Sequence, residues 1–206
     1  MIRADLYEKS VHLESYVSPA DCRACGFHSR EEFLKKLRSG QLKPSDCTMA
    51  RLRFLPLLWA AKPNEILPEV EVFQHPSPSP TGLFPVNKPE KNSPIIVSGN
   101  SKLTVEVLTA VFSTTLSPFW YLVADTNGHT VDMAMVYETL TAERVVQTLA
   151  REGVDHIAPE SELFLPGLAA LIRDGLAEQS DRSVTVGPVC AAELPIFFGK
   201  EKWKVA

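Results

Sequence analysis

Long apolar runs are missing from this chain. The longest, FLPLLWAA, covers eight residues (54–61) and contains Pro56, far short of the about 20 apolar residues that span a bilayer as a helix. The opening MIRADLYEKS alternates charged and apolar side chains, so no secretory leader is read there. Excess positive charge is also missing: 21 Lys and Arg stand against 25 Asp and Glu, and no basic run interrupts the −4 balance. A nucleic-acid partner is therefore not expected, and neither is a membrane. Cysteine is scarce, with four in 206 residues. The cytoplasm is the expected compartment, where cysteines bind metal or stay reduced more readily than they pair. There is no internal repeat and no dinucleotide-type glycine pattern.

What remains is ordinary in amount and uneven in distribution. An apolar fraction of 45% and a charged fraction of 22% are those of a soluble globular protein. The length suits one ordinary domain with a small companion. Residues 1–53 are charged and hold three of the four cysteines. Residues 54–93 hold eight of the sixteen prolines, which predicts an extended connector that hugs a surface or stays mobile. From 94 to 206 the pattern is that of a compact α/β unit.

In that unit PIIVSGN (94–100) and FWYLVADTNG (119–128) read as buried strands ending in polar turns. KLTVEVLTAVFS and TAERVVQTLARE read as helices, the second with Thr141 as N-cap. VDHIAPES (154–161) is expected to be a short strand and turn, LPGLAALIRDGLAEQ (165–179) a helix opened by Pro166, and SVTVGP a last strand. CAAELPIFFGKEKW fits a short closing helix with a solvated EKWK end. Strand–helix alternation implies a mainly parallel sheet with helices on both faces. Ligands in such sheets sit at the carboxyl ends of the strands.

The amino-terminal segment poses a separate question. Cys22 and Cys25 are spaced to face one ion, and Cys47 follows after REEFLKKLRSG, an amphipathic helix with Phe33, Leu34 and Leu37 on one face and Gly40 at its carboxyl end. His28 completes a possible Cys3His zinc set. Three reduced cysteines that bind nothing are the plainer alternative.

The spacing resembles the small four-cysteine iron–sulfur module of the corrinoid/iron–sulfur proteins of the acetyl-CoA pathway, C-x2-C-G-x3-C-x-x-F followed by a helix, a glycine and a last cysteine. Cys22, Cys25, Gly26, Phe33, Gly40 and Cys47 fall on that pattern, but Arg30 stands where its third cysteine belongs. A guanidinium cannot ligate iron, so a four-cysteine cluster is excluded, and the expectation is an iron–sulfur cluster held by the incomplete set Cys22, Cys25 and Cys47, or zinc with His28. The second half resembles the same family's Rossmann/flavodoxin-like corrinoid-binding domain, through SPIIVSGNSKLTVEV, the Asp-Thr-x-Gly turn of FWYLVADTNG, ELFLPGLAALIRDGL and VTVGPVCAAELPIFF. The chain thus looks like a relative of the large (gamma) subunit, shortened by the family's central barrel.

The resemblance implies a corrinoid lying over the strand-end turns, whose cobalt carries a methyl group between partner proteins. Carried over by position, Ser98, Gly99 and Asn100 form one turn beneath the ring and Asp125, Thr126 and Gly128 a second, with Asn127 at the variable place. Leu165, Pro166 and Gly167 start a helix along the ring edge, and Gly187 and Pro188 give the last backbone contacts. Each has a structural alternative as turn, cap or packing residue. His129 and His156 read as surface histidines, Cys190 as a packed thiol, and Trp120 and Tyr121 as core. No acid, base or nucleophile set is evident, so a methyl carrier would need a methyltransferase or a second corrinoid-protein subunit. The competing readings are a non-catalytic binding or regulatory protein that has lost cluster, corrinoid or both, and a zinc or electron-transfer module fused to a ligand-binding α/β domain.

Overall fold

A computed structural model describes residues 1–4, 6–42, 54–71 and 76–206. In chain order its elements are β1 (Ile2–Arg3), α1 (Pro19–Ala24), α2 (Arg30–Arg38), α3 (Phe54–Ala61), β2 (Glu69–Val70), β3 (Gly82–Val86), β4 (Ile95–Gly99) and α4 (Lys102–Phe112). They continue with β5 (Phe119–Ala124), α5 (Val131–Val136), α6 (Ala142–Arg151), α7 (Val154–Ile157), β6 (Leu163–Leu165), α8 (Arg173–Ser180), β7 (Val184–Val186) and α9 (Leu194–Lys202).

Five strands form one sheet in the order β3-β5-β4-β6-β7. All neighbours are parallel except β3, which runs antiparallel along β5 with Gly82 opposite Val123 and Val86 opposite Phe119. This is the expected mainly parallel α/β architecture with both faces covered. The covering follows the two-residue period of the strands. Ile96, Phe119, Tyr121, Val123 and Phe164 face α4, α9 and the amino-terminal helices. Ile95, Val97, Leu122, Ala124, Leu163 and Leu165 face α5 to α8. Strand β4, buried at all five positions, is the axis of both layers.

The amino-terminal helices do not stand apart. Leu13, Val17, Cys22, Phe33, Leu34 and Leu37 share one core with the sheet face and α9. Helix α2 stands where expected, and α1 precedes it unpredicted; local signals start both. Ser18 and Asp21 make a reciprocal capping box on α1, and Ser29 accepts from Glu32 N to cap α2. Gly40, at φ 71°, lies just past the end of α2.

Several expectations are corrected. The proline-rich stretch 54–93 is only partly a connector, because it supplies α3 and the edge strand β3. Pro56 sits in the first turn of α3, where backbone N–H groups lack helical partners anyway. Pro85 sits on an edge strand, where a missing donor is tolerated. Among the described residues, Pro76–Pro80 behaves as a surface strap: Ser79 N donates to Asn100 O at 2.7 Å, and Lys102 N donates to Ser77 O at 2.8 Å. The strand expected in VDHIAPES is instead α7, begun by Gly153 at φ 65°. The strand is Leu163–Leu165, an unbroken buried triplet whose apolar pattern does not distinguish strand from helix. Pro166 is extended (ψ 145°), and a 3₁₀ turn over Gly167–Ile172 precedes α8. The EKWK end is solvated at Glu201, Lys202 and Lys204 but not at Trp203. Trp203 is 1% exposed and packs on Phe112, Phe119 and Phe198.

Tyr16 and Glu193 fasten the amino-terminal helices to the sheet domain. The Tyr16 hydroxyl lies 2.8 Å from the Glu193 carboxylate, which is only 5% exposed. Burial raises the Glu193 pKa, against the pull of Tyr16 and His12. A carboxyl with a higher pKa folded than unfolded favours folding below the ordinary carboxylate range and ceases to as pH rises through its folded value. Tyr16→Phe leaves this carboxylate short of a donor and should destabilise the chain by about 1–3 kcal/mol near neutral pH. The loss should shrink as pH falls and Glu193 takes up a proton, read from urea midpoints across pH 4–8.

Candidate functional site

The chain leaves β4 to form β5 on one side of it and then crosses over to form β6 on the other. Such a reversal opens a crevice at the carboxyl ends of the strands. A cavity of about 470 Å³ lies there, within the range of small-molecule sites. Ser98 at the end of β4, Leu165 and Pro166 after β6, and Gly187 and Pro188 after β7 form its floor. Val107 and Leu108 of α4, Val131 and Met133 of α5, and Phe197 of α9 add apolar walls. Ser98 is buried with its Oγ 2.7 Å from Tyr121 Oη. The far wall comes from the amino-terminal segment, through Arg3, Ala4, Leu6, Tyr7, Leu67 and Val70.

Asp132 is the acidic group of this lining. Burial opposes its ionisation, but hydrogen bonds from Thr130 and Tyr7 and from backbone N–H groups outweigh that and hold its pKa below the ordinary value. The Tyr7 hydroxyl is correspondingly pushed up to about 12 by burial and by its hydrogen bond to Asp132.

The structure divides the eleven proposed ring-contact residues. Ser98, Leu165, Pro166, Gly187 and Pro188 line the cavity; Gly99, Asn100, Asp125, Thr126, Gly128 and Gly167 do not. Asn100, Thr126 and Gly128 instead form a bonded node joining the two turns. Asn100 Oδ1 accepts from Thr126 N at 2.9 Å, Thr126 Oγ1 at 3.0 Å and Gly128 N at 2.9 Å. Gly128 serves this packing, since a Cβ there would lie 2.6 Å from Pro78 N. At Gly99 a Cβ would lie 2.6 Å from Thr126 Oγ1, and at Gly167 it would lie 2.8 Å from Val189. Asp125 and Asn127 are exposed, and Asp125 Oδ1 accepts from Asn127 N. His129 is half-buried, stacked on Tyr137 with Nδ1 3.2 Å from Thr139 Oγ1, and His156 is exposed. The sequence reading missed Tyr7, Asp132 and the other amino-terminal lining residues. No local pattern marks a residue that reaches a site from 90 positions away.

Comparison with known proteins places these features. The family model described as CO dehydrogenase/acetyl-CoA synthase delta subunit (CdhD) matches residues 49–198, nearly three-quarters of the chain. The chain belongs to this family. Relatives of the CdhD chain include the acetyl-CoA decarbonylase/synthase complex subunit gamma of Methanopyrus kandleri, 28% identical over 58% of this chain and 26% of that protein. The subunit gamma 2 of Methanosarcina thermophila is 28% identical over 70% of this chain and 33% of that one. The subunit gamma of Methanocaldococcus jannaschii is 24% identical over 91% and 39%. The CdhD chain thus spans between a quarter and two-fifths of the length of these relatives.

The match leaves the cysteine segment of the CdhD chain mostly outside it. Cys22 is a free thiol, 2% exposed among core side chains, and Cys25 is half-buried and disulfide-bonded. His28 is exposed. Cys47 lies outside the described residues. Burial pushes the Cys22 thiol pKa up, against the opposing pull of Arg30. Among the described residues no three His, Cys, Asp or Glu side chains are grouped to hold a metal ion. With a cation at the third ligand position, this donor set does not fit a four-cysteine cluster. Cys190 is packed as expected, 3% exposed, and burial raises its pKa to about 11. No helix among the described residues is long and apolar enough to cross a membrane.

Two outcomes follow from this geometry. Asn100→Ala strands the backbone donors of Thr126 and Gly128 and should cost about 2–4 kcal/mol in urea unfolding. Cys22 and Cys190 should resist iodoacetamide at pH 8 in the native protein and react once it is denatured, by mass spectrometry of the labelled peptides.

Proposed function

We propose that this CdhD chain is a corrinoid-binding module that serves as a methyl-group carrier for a partner protein of the acetyl-CoA decarbonylase/synthase pathway. The observation that carries this reading is the apolar crevice at the strand reversal, floored by Ser98, Leu165, Pro166, Gly187 and Pro188. When bound, a corrinoid supplies a cobalt that accepts and releases a methyl group. The chain's own part is to bind, orient and exclude water. Gly187, with no side chain, would let a flat ligand approach the backbone closely, and Pro188 would add an apolar contact beside it. The apolar walls from α4, α5 and α9 would help to exclude water from a bound ligand.

The partner is a methyltransferase or a second subunit, since the relatives are named as subunits of a complex. An iron–sulfur cluster has no complete donor set in this chain, and a zinc site would require Cys47 together with reduced Cys25. One observation favours the alternative of a non-catalytic binding protein: amino-terminal residues cover the crevice. Retention of corrinoid separates the two. After anaerobic incubation with hydroxocobalamin and desalting, the wild-type chain should keep corrinoid absorbance. Val189→Trp, which fills the cavity, should reduce retention about tenfold, equivalent to about 1.4 kcal/mol of binding. Equal retention by this variant would count against the crevice.

A further inference from the structure

We propose that Tyr16 is a positioning residue for the strand-end crevice: through Glu193 it sets the wall formed by Cys190, Ala191, Leu194 and Phe197. This rests on the corrinoid reading above, in which that wall bounds the ligand. The four wall residues line the cavity, whereas neither Tyr16 nor Glu193 does. Glu193 ends the 3₁₀ turn Ala191–Glu193, and α9 begins at the next residue. It therefore sits at the joint between the two pieces of the wall.

The wall segment is tied at its start and at this joint. At the start, Gly187 N donates to Leu165 O at 2.8 Å and Gly167 N donates to Pro188 O at 2.9 Å, which fixes it to the end of β6. At the joint, Glu193 N donates to Cys190 O at 3.0 Å and closes the turn. The Tyr16 hydroxyl then donates to Glu193 Oε1 at 2.8 Å, across 177 positions of sequence. A carboxylate as buried as Glu193 depends on donors that the chain itself supplies. Tyr16 is a fixed donor. Its N–H donates to Leu13 O at 3.1 Å, and both Leu13 and Val17 are buried in the core that also holds Cys190 and Leu194. Apolar packing in that core is non-directional and sets only how deep the wall lies. The hydrogen bond has a direction, so it sets the rotation of the turn and hence the surface that Cys190 and Ala191 present to the cavity.

Cobalamin retention and urea unfolding on the full chain test this together. Tyr16→Phe should lower apparent affinity for hydroxocobalamin about three- to tenfold, the range expected for one hydrogen bond. Glu193→Gln keeps an acceptor for the Tyr16 hydroxyl and should stay within about twofold of the parent chain. The double variant Tyr16→Phe/Glu193→Leu replaces both partners by apolar groups, so its urea midpoint should return towards that of the parent. Its cobalamin affinity should nevertheless stay as low as that of Tyr16→Phe, because stability is restored without the directional bond. If Tyr16→Phe retains cobalamin as well as the parent, the positioning role is refuted and the corrinoid reading stands. If affinity returns together with the urea midpoint in the double variant, Tyr16 acts on stability alone and the positioning role is refuted. If neither the parent chain nor any of these variants retains cobalamin, the corrinoid reading fails and takes the positioning role with it.

Discussion

One carboxamide oxygen holds together the end of the sheet on which everything else is arranged. Asn100 Oδ1 collects three donors from the Thr126–Gly128 turn, while Asn100 Nδ2 reaches Ser79 O at 3.2 Å. Two strand ends and the proline strap are thereby fixed to one another. The crevice beside them has a defined floor because its neighbouring turns cannot drift. Residues that the sequence reading took as ligand contacts are, at this node, the framework that positions the contacts. That is a structural role in the service of a site, and it explains why glycine is needed at 128, where the strap presses against the turn.

The fold was legible wherever a period or a cap was written locally. The buried strands β4 and β5 with their polar end turns, the Thr141 cap, where Oγ1 accepts from Arg144 N at 3.3 Å, and the amphipathic α2 all stand where the sequence puts them. The misreadings share a physical cause. Leu163–Leu165 is apolar at every position because both faces of the sheet are covered, and uniform burial erases the period that tells strand from helix. The prolines at 56 and 85 looked like signs of an irregular connector, yet each occupies a place where no backbone donor is required. Trp203 looked like a tail residue because its partners, Phe112 and Phe119, lie more than 80 positions earlier.

The site was half legible. Residues at strand ends can be named from alternation and turn chemistry, and five of the eleven do meet in one cavity. Which side chains point inward depends on bonds such as those of Asn100, which pair atoms from distant segments. The covering wall was invisible for the same reason. Nothing in MIRADLYEKS signals that Tyr7 will meet Asp132, since the meeting is made by the shared core that folds α1 to α3 against the sheet. Arg30, by contrast, was readable without the fold: the resemblance implies a cysteine there, and a permanent cation cannot stand in for one as a ligand.

The closing tail has a consequence for how this chain is made. Leu116 N donates to Lys204 O at 2.7 Å, Lys204 N donates to Ser117 Oγ at 2.8 Å, and Thr115 bridges Val205. These contacts join segments nearly 90 positions apart at the foot of β5. Contacts of such long range form late and slow the folding reaction. The aromatic face around Phe119 therefore stays open during synthesis until residues 203–205 have left the ribosome. Over that interval it is exposed apolar surface of the kind that makes incompletely folded chains prone to aggregate.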